Sequence, residues 1–242
     1  MCMKSILHPA SERGHVNFGW LDSHHSFSFG HWQDPSKVHF GVLRVLNDDM
    51  VKGGGGFGTH PHDNMEIVSI PLNGSLAHKD STGTDGIIKE GDVQIMSAGT
   101  GIRHSEFNAS QTDTVNFLQV WVFPKKENIQ PRYDQKAFDI NGRLNKWQVV
   151  VSPDEKDGGV WINQDARFAL TKLEAGKEIS YPLKFKGNGV YVFVLEGAVQ
   201  AADQMLNKRD AAGIYQTDNI VIKANVSSEL LLIEVPMILD RN

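Results

Sequence analysis

Two short segments of the sequence carry the residues best suited to metal chemistry. The first reads GGGGFGTHPHDNME and contains His60 and His62; the second reads GDVQIMSAGTGIRHSEFN and contains His104 and Glu106. In an extended strand, residues i and i+2 point to the same face, so each pair presents its two side chains together. If the two strands lie side by side, three imidazoles and one carboxylate converge. Such a set of nitrogen and oxygen donors suits a first-row transition metal.

The spacing also has a simpler interpretation, in which each pair lies in a solvated loop. A single His-x-His pair in a glycine-rich segment is more often a loop than a ligand set. Two pairs about 40 residues apart, each beside a strand pattern, favour metal binding instead. Asn108 follows Glu106 at the same spacing, and it is expected either to contact a ligand or to hold a turn.

Four protein ligands on an octahedral ion would leave two positions open for water or substrate. A closed structural zinc site would more often use cysteine, whereas an open site on a rigid β scaffold favours catalysis. Histidine and carboxylate ligands suit iron(II), which we expect, but ligand type does not rank the metals uniquely, so nickel, cobalt, manganese, copper or zinc stay open as divalent alternatives.

The histidines are distributed unevenly along the chain. All ten lie between His8 and His104, so a histidine-based site can exist only in the N-terminal half. Four others could be ligands, but none has ligand spacing with a carboxylate, and hydrogen-bonded or exposed roles are expected for them: His15, His24, His25 and His31.

The elements that would position these residues are strands. Runs with strand character, separated by turn signals, cover residues 38–45, 65–72, 75–78, 93–96, 115–123, 148–151, 160–162, 168–173, 190–195, 220–222 and 230–235. We expect Asn47-Asp48-Asp49 to form a turn after the first of them. The pattern contains no convincing long helix before residue 124, so it predicts an all-β barrel or sandwich.

The approach to the first histidine pair has its own backbone signals. The glycines at positions 53–56 are not a phosphate loop, because no Lys-Ser/Thr pair follows them and no helix pattern begins there. They are expected to let the backbone turn tightly. Pro61 has no N–H, so its strand should lie at a sheet edge or contain a bulge.

The chain also suggests two domains. We expect an N-terminal metal-binding domain at residues 1–130, a polar linker at 131–146 and a C-terminal domain at 147–242. Glu196-Gly197-Ala198 resembles the strand–turn–strand form around Asn73-Gly74, which predicts a second copy of the same β unit. That copy has no histidine and is expected to bind no metal.

The two histidine segments resemble the paired motifs of the cupin superfamily. The matching positions are Gly54, His60, His62, Glu66 and Gly74 in the first motif, and Gly101, His104 and Asn108 in the second. In general cupins the carboxylate ligand would fall on Ile67, so Glu66 is one position out of place. Glu106 replaces it, and this substitution, together with THPHDNMEI and SAGTGIRHSEFN, resembles the pirin family.

The resemblance to pirins covers nearly the whole chain and is most specific up to residue 135. It implies a bicupin of two jelly-roll-like β domains, the second degenerate and without metal. It further implies a dioxygenase that opens flavonols such as quercetin with O₂ and releases carbon monoxide. The ligands would be His60, His62, His104 and Glu106, and Glu106 would also accept the substrate proton. Two alternatives stay open: a metal-containing regulatory or redox-sensing binding protein, and an oxygenase of another enolisable small molecule.

Composition limits the remaining functions. The 242 residues are 40% hydrophobic and carry a net charge of −5, which argues against direct binding of nucleic acid. Cys2 is the single cysteine, so no intrachain disulfide marks an oxidising compartment. The sequence has no apolar run of signal-peptide or membrane-spanning length. We therefore expect a cytoplasmic monomer that does not associate with a membrane.

Overall fold

The regular secondary structure of the protein is almost entirely β-strand. A computed structural model describes residues 3–239, and Cys2 lies outside them. The strands of the N-terminal half are Lys4–His8 (β1), Gly14–Asn17 (β2), Leu21–His25 (β3), Leu43–Val51 (β4), Gly56–His62 (β5), Glu66–Asn73 (β6), Ser75–Asp80 (β7), Asp85–Lys89 (β8), Asp92–Ser97 (β9), Ile102–Asn108 (β10), Val115–Val122 (β11) and Arg132–Ala137 (β12). Those of the C-terminal half are Gln148–Ser152 (β13), Val160–Trp161 (β14), Arg167–Leu173 (β15), Glu178–Pro182 (β16), Asn188–Glu196 (β17), Ala198–Ala201 (β18), Gln204–Asn207 (β19), Ala211–Tyr215 (β20), Asn219–Ala224 (β21) and Ser228–Pro236 (β22). Three short 3₁₀ helices cover Ala10–Glu12, Ile140–Arg143 and Glu155–Asp157.

The strands form two similar pairs of sheets. In the first pair, a seven-stranded sheet ordered β12-β9-β6-β11-β4-β3-β2 accompanies a four-stranded sheet ordered β5-β10-β7-β8. In the second, the orders are β1-β20-β17-β22-β15-β13-β14 and β16-β21-β18-β19. The expected all-β bicupin with two β units is confirmed. Among the described strands, pairing leaves each sheet open rather than closing it into a barrel.

The largest hydrophobic core is shared by the two halves of the chain. It joins buried residues of the first seven-stranded sheet, such as Leu46 and Val120, to residues of the second, such as Phe193 and Leu231. Alternate residues of the central strands face this shared core, as the two-residue period of a strand requires. The half of the chain that carries the histidine pairs therefore packs directly against the C-terminal half.

The turn expected at Asn47-Asp48-Asp49 is wrong, because these residues lie inside β4. The strand predicted to begin at residue 38 begins instead at Leu43. Asn and Asp favour turns locally, but here contacts with residues distant in the sequence hold this stretch in a strand. Ser23 donates to Asp49, and Arg13 forms an ion pair with Asp48 at 3.4 Å. These contacts let a polar stretch lie in the middle of a sheet.

The domain boundaries stay a prediction, and two strands pair in ways that these boundaries do not anticipate. β1 pairs with β20 in a sheet of the C-terminal half. β12 falls within the expected linker, yet it pairs with β9 and extends the sheet of the N-terminal half. No helix in the described part of the chain is long and apolar enough to span a membrane.

Candidate metal centre

Strands β5 and β10 bring the two histidine segments side by side. They pair antiparallel, with His60 opposite His104. β5 is an edge strand of its sheet, a position that tolerates a residue without an N–H such as Pro61. Ahead of β5, Gly54 adopts a φ of +72°, a conformation that favours glycine at this turn. The local backbone expectations for this segment are therefore confirmed.

An irregularity in β5 orients one imidazole. The register shifts between the His60–His104 pair and the Phe57–Glu106 pair, so β5 has one extra residue there. Such a bulge turns backbone groups away from the ladder. Nδ1 of His60 donates to the carbonyl of Gly58 at 2.8 Å, which leaves Nε2 free to bind a ligand.

Three histidines converge on one point. One ligand atom from each of His60, His62 and His104 lies within 4.8 Å of the others. Both ring nitrogens of His104 are buried and have no hydrogen-bond partner among the described residues. Burial and neighbouring imidazoles lower the pKa of His62 to about 4 and that of His104 to about 3. Both rings are therefore neutral at physiological pH, which is the protonation state that binds metal.

Glu106 belongs to an adjoining group that shares His104. Ligand atoms of His78, His104 and Glu106 lie within 4.8 Å of one another. Glu106 is 2% exposed, and both of its oxygens accept hydrogen bonds from the facing sheet. Ser69 donates to Oε1 at 3.0 Å and Gln119 donates to Oε2 at 2.7 Å. Glu106 thus lies next to His104, one of the three clustered histidines, and its two hydrogen bonds fix its orientation.

The amide of Gln119 is oriented in turn by an aromatic residue. Nε1 of Trp121 donates to Oε1 of Gln119 at 3.2 Å, so the amide nitrogen faces Glu106. The Trp121 ring also lies edge-on to His62, with centroids 4.9 Å apart. One indole therefore supports both an imidazole and, through Gln119, the carboxylate.

His78 is a member of the cluster that spacing did not identify. It lies on β7, directly opposite Glu106 on β10, and it is buried. Its Nε2 is 3.1 Å from Oδ2 of Asp80, whereas its Nδ1 has no hydrogen-bond partner within residues 3–239. The sequence offers a lone histidine here, and only the pairing of β7 with β10 shows that it faces the site.

Asn108 lies at a cupin motif position and Glu66 lies one position away from one, but both side chains have structural roles instead. The amide of Asn108 donates to the carbonyls of Val51 and Asp113 at 2.8 and 2.7 Å, so it holds a turn. Glu66 is in neither ligand group. Its Oε2 accepts from the Ser97 hydroxyl at 2.8 Å and from the backbone N–H of Asn163 at 3.1 Å, which ties the two halves together.

The Glu66 carboxyl should make the stability of the protein depend on pH. Burial raises its pKa from 4.5 to about 7, so the folded state holds this proton more tightly than the unfolded state. The resulting penalty is absent below pH 4.5, grows as pH rises and is complete above about 7. Glu66→Gln removes the penalty and keeps an acceptor oxygen. We compare the free energy of unfolding of the variant with that of the wild type. The variant's advantage should be up to about 3 kcal/mol larger at pH 8 than at pH 4.

Urea unfolding of wild type and Glu66→Gln at several pH values measures this difference. Glu127→Gln, at an exposed carboxylate, is the control and should leave the pH profile unchanged. Parallel profiles for wild type and Glu66→Gln would contradict the assignment.

A third group of possible ligands lies on the surface of the β2–β3 hairpin. His15 and His24 are directly opposite each other with stacked rings, and Nε2 of His15 is 3.0 Å from Oδ1 of Asp22. His15 and His24, for which only hydrogen-bonded or exposed roles were expected, thus have a carboxylate neighbour that their sequence spacing did not indicate. All three side chains are partly or fully exposed, unlike the buried cluster.

A cavity of about 340 Å³ opens beside the buried cluster. His60, His62 and Glu106 lie on one side of it, and its walls are largely aromatic or aliphatic. The apolar lining residues are Val16, Phe18, Leu21, Phe29, Phe57 and Trp121. A polar group from β3 and β4 lies on another side, where burial raises the pKa of Asp49 to about 7. The cavity thus suits an aromatic molecule with polar substituents.

The donor set fits a divalent transition metal. Imidazole and carboxylate are ligands for such ions. Without a ligand, the buried nitrogens of His104 would lose their hydrogen bonds to water and gain no other interaction. Two cupin-like β units, one of them bearing a histidine–carboxylate cluster beside an apolar cavity, define the chain as a bicupin of the metal-binding type.

Comparisons with known proteins give the family. The Pirin family profile matches residues 7–122, and a profile described as the quercetinase C-terminal cupin domain matches residues 149–235. The chain is 42% identical over 235 residues to the quercetin 2,3-dioxygenase of Escherichia coli K12, covering 95% of this chain and 98% of that protein. It is 37% identical over 227 residues to a pirin-like protein of Caulobacter vibrioides, covering 93% and 97%. The chain belongs to the pirin family.

Solved structures agree with this assignment. The crystal structure of YhhW from Escherichia coli superposes with a TM-score of 0.92 at 40% identity, covering 97% of this chain and 99% of that one. The structure of bacterial pirin YhhW in complex with nickel(II) gives a TM-score of 0.91 at 39% identity, covering 97% and 100%. The predicted resemblance to pirins is confirmed.

Proposed function

We propose that the protein is a metal-dependent dioxygenase that opens flavonols such as quercetin with O₂ and releases carbon monoxide. The observation that carries the proposal is the apolar cavity beside the cluster of His60, His62 and Glu106. A flat aromatic substrate can enter such a cavity with one oxygen facing the cluster. The name of the Escherichia coli relative, a quercetin 2,3-dioxygenase, supports the same substrate class.

The metal would be held by His60, His62, His104 and Glu106. Iron(II) suits these ligands, and the nickel(II) complex of the related bacterial pirin supports nickel as an alternative. A divalent metal bound there would acidify the 3-hydroxyl of a flavonol, as it acidifies bound water.

The protein's own residues would bind the substrate and take its proton. Glu106 is the carboxylate beside the ligand histidines, and its oxygens are held by Ser69 and Gln119. It is therefore placed to accept the 3-hydroxyl proton. Phe57, Phe29 and Trp121 line the cavity, where they would pack against the rings and keep water from the reacting oxygen.

Oxygen uptake and carbon monoxide release, measured together with quercetin, test this function. The metal-loaded protein should consume one O₂ for each carbon monoxide released, and chelation of the metal should stop both. Consumption of O₂ without carbon monoxide would point to another enolisable substrate. No reaction with any flavonol would refute the proposal. A cytoplasmic location, a monomeric state and the absence of nucleic-acid binding stay predictions.

A further inference from the structure

The wall of the cavity formed by β3 and β4 is polar and buried. It consists of two pairs of residues that lie directly opposite each other, Ser23 with Asp49 and His25 with Asn47. All four line the cavity and all are nearly inaccessible to solvent. The rest of the lining combines apolar side chains with His31, His60, His62, Glu106 and Gln119, so this group is a second source of hydrogen bonds in the cavity.

Two polar atoms in this group lack a partner. Nδ1 of His25 and Oδ1 of Asn47 are buried, and neither makes a hydrogen bond with any residue that the structure describes. A buried polar atom without a partner is unfavourable, because it has lost its hydrogen bonds to water. Because these residues are cross-strand neighbours, one hydroxyl group between them can interact with both. The pair is thus prepared for a ligand that brings its own hydroxyl.

The position of the group relative to Glu106 follows from the order of the strands. Asn47 on β4 is opposite Gln119 on β11, and Gln119 donates to Glu106. Neighbouring strands are about 4.8 Å apart, so Asn47 is about one strand spacing and His25 about two strand spacings from Gln119. That separation is comparable to the span of one or two aromatic rings. A molecule with one oxygen at the metal cluster can therefore place a second hydroxyl beside this pair.

We propose that Ser23, His25, Asn47 and Asp49 form a hydroxyl-binding subsite that selects aromatic substrates carrying a ring hydroxyl remote from the metal. The inference rests on the proposed flavonol activity and deepens it, because it assigns substrate choice to particular residues. The substrate class is then a polyhydroxylated flavonol rather than one whose outer rings are unsubstituted. A site built to bond a hydroxyl discriminates against the analogue that lacks it, since its buried polar groups are left unpaired.

The test compares quercetin, which has hydroxyls on both outer rings, with 3-hydroxyflavone, which has none there. The wild type should favour quercetin in kcat/KM by at least about 10-fold, in keeping with the cost of unpaired polar groups. Asn47→Leu, which keeps the size but loses the hydrogen bonds, should bring this ratio near one by slowing quercetin alone. His25→Phe should act in the same direction, and it serves as the second variant if Asn47→Leu does not fold.

Gln94→Leu is the matched control. Gln94 also has a buried, unpartnered side-chain oxygen on the same sheet, but it does not line this cavity. Its quercetin preference should equal that of the wild type. An unchanged preference in Asn47→Leu or His25→Phe would overturn the subsite while leaving the flavonol activity intact.

Equilibrium binding separates failure of the subsite from failure of the function. Quenching of tryptophan fluorescence gives dissociation constants for both flavonols whether or not they react. If the wild type turns over neither flavonol, the proposed function fails. A tighter dissociation constant for quercetin that is lost in Asn47→Leu would still support the subsite, and equal constants in the two proteins would refute it.

Discussion

Replacing His104 with alanine should remove tightly bound metal from the protein, and activity with it. In the part of the chain that the structure describes, His104 is shared by the two buried ligand groups, and neither of its ring nitrogens has a hydrogen-bond partner there. Removing residues that only orient ligands typically costs 10–100-fold in metal affinity, so loss of the shared ligand should cost more than about 100-fold. Metal analysis after dialysis against a weak chelator measures the loss.

The exposed hairpin cluster supplies the control for this experiment. A variant with His15→Ala and His24→Ala removes two imidazoles that lie as close together as those of the buried cluster. It should keep the tightly bound metal. His62→Ala combined with His104→Ala should abolish it. Full metal occupancy in that double variant would show that the proposed ligands are wrong. Thermal unfolding of each variant distinguishes metal loss from misfolding.

The second large effect is expected for Glu106→Gln, which should reduce activity by about 10²- to 10⁴-fold at matched metal content. That range is the usual contribution of a general base. Glutamine keeps the size and one oxygen ligand but loses the carboxylate that would accept the substrate proton. The hydrogen bonds from Ser69 and Gln119 fix where that group lies, so another carboxylate cannot easily replace it.

Glu66→Gln is the matched control for this substitution. It makes the same chemical change at a buried carboxylate that lies outside both ligand groups, and activity should fall by less than about 10-fold. Quercetin-dependent oxygen consumption and carbon monoxide release should be measured for both variants and the wild type. Comparable rates in all three would remove Glu106 from its proposed role.

Spacing alone could predict which side chains point together along one strand. His60 with His62, and His104 with Glu106, follow from the two-residue period, and the pairing of β5 with β10 then brings these strands together. The general all-β architecture likewise follows from short apolar runs between turn signals. Both inferences depend only on the order of residues within short segments, which can be read directly from the sequence.

Features that depend on distant partners could not be predicted in the same way. His78 faces Glu106 because β7 pairs with β10, and nothing near His78 in the sequence indicates that pairing. Asn47, Asp48 and Asp49 have turn composition, yet contacts with Ser23 and Arg13 hold them inside a strand. The cavity is defined by six or more separate segments, so its shape emerges only when the chain is folded.

The pairing of β1 with β20 makes the order of synthesis matter for folding. His8 lies opposite Ala211, so the two strands are separated by roughly 200 residues of chain. At about 5–20 residues per second, translation leaves the earlier strand without its neighbour for about 10–40 s. During that interval the sheets that carry the histidine cluster can pair among themselves, whereas Lys4–His8 must wait for almost the whole chain. The pairing of the first strand of the chain with β20 would then be a late step of folding.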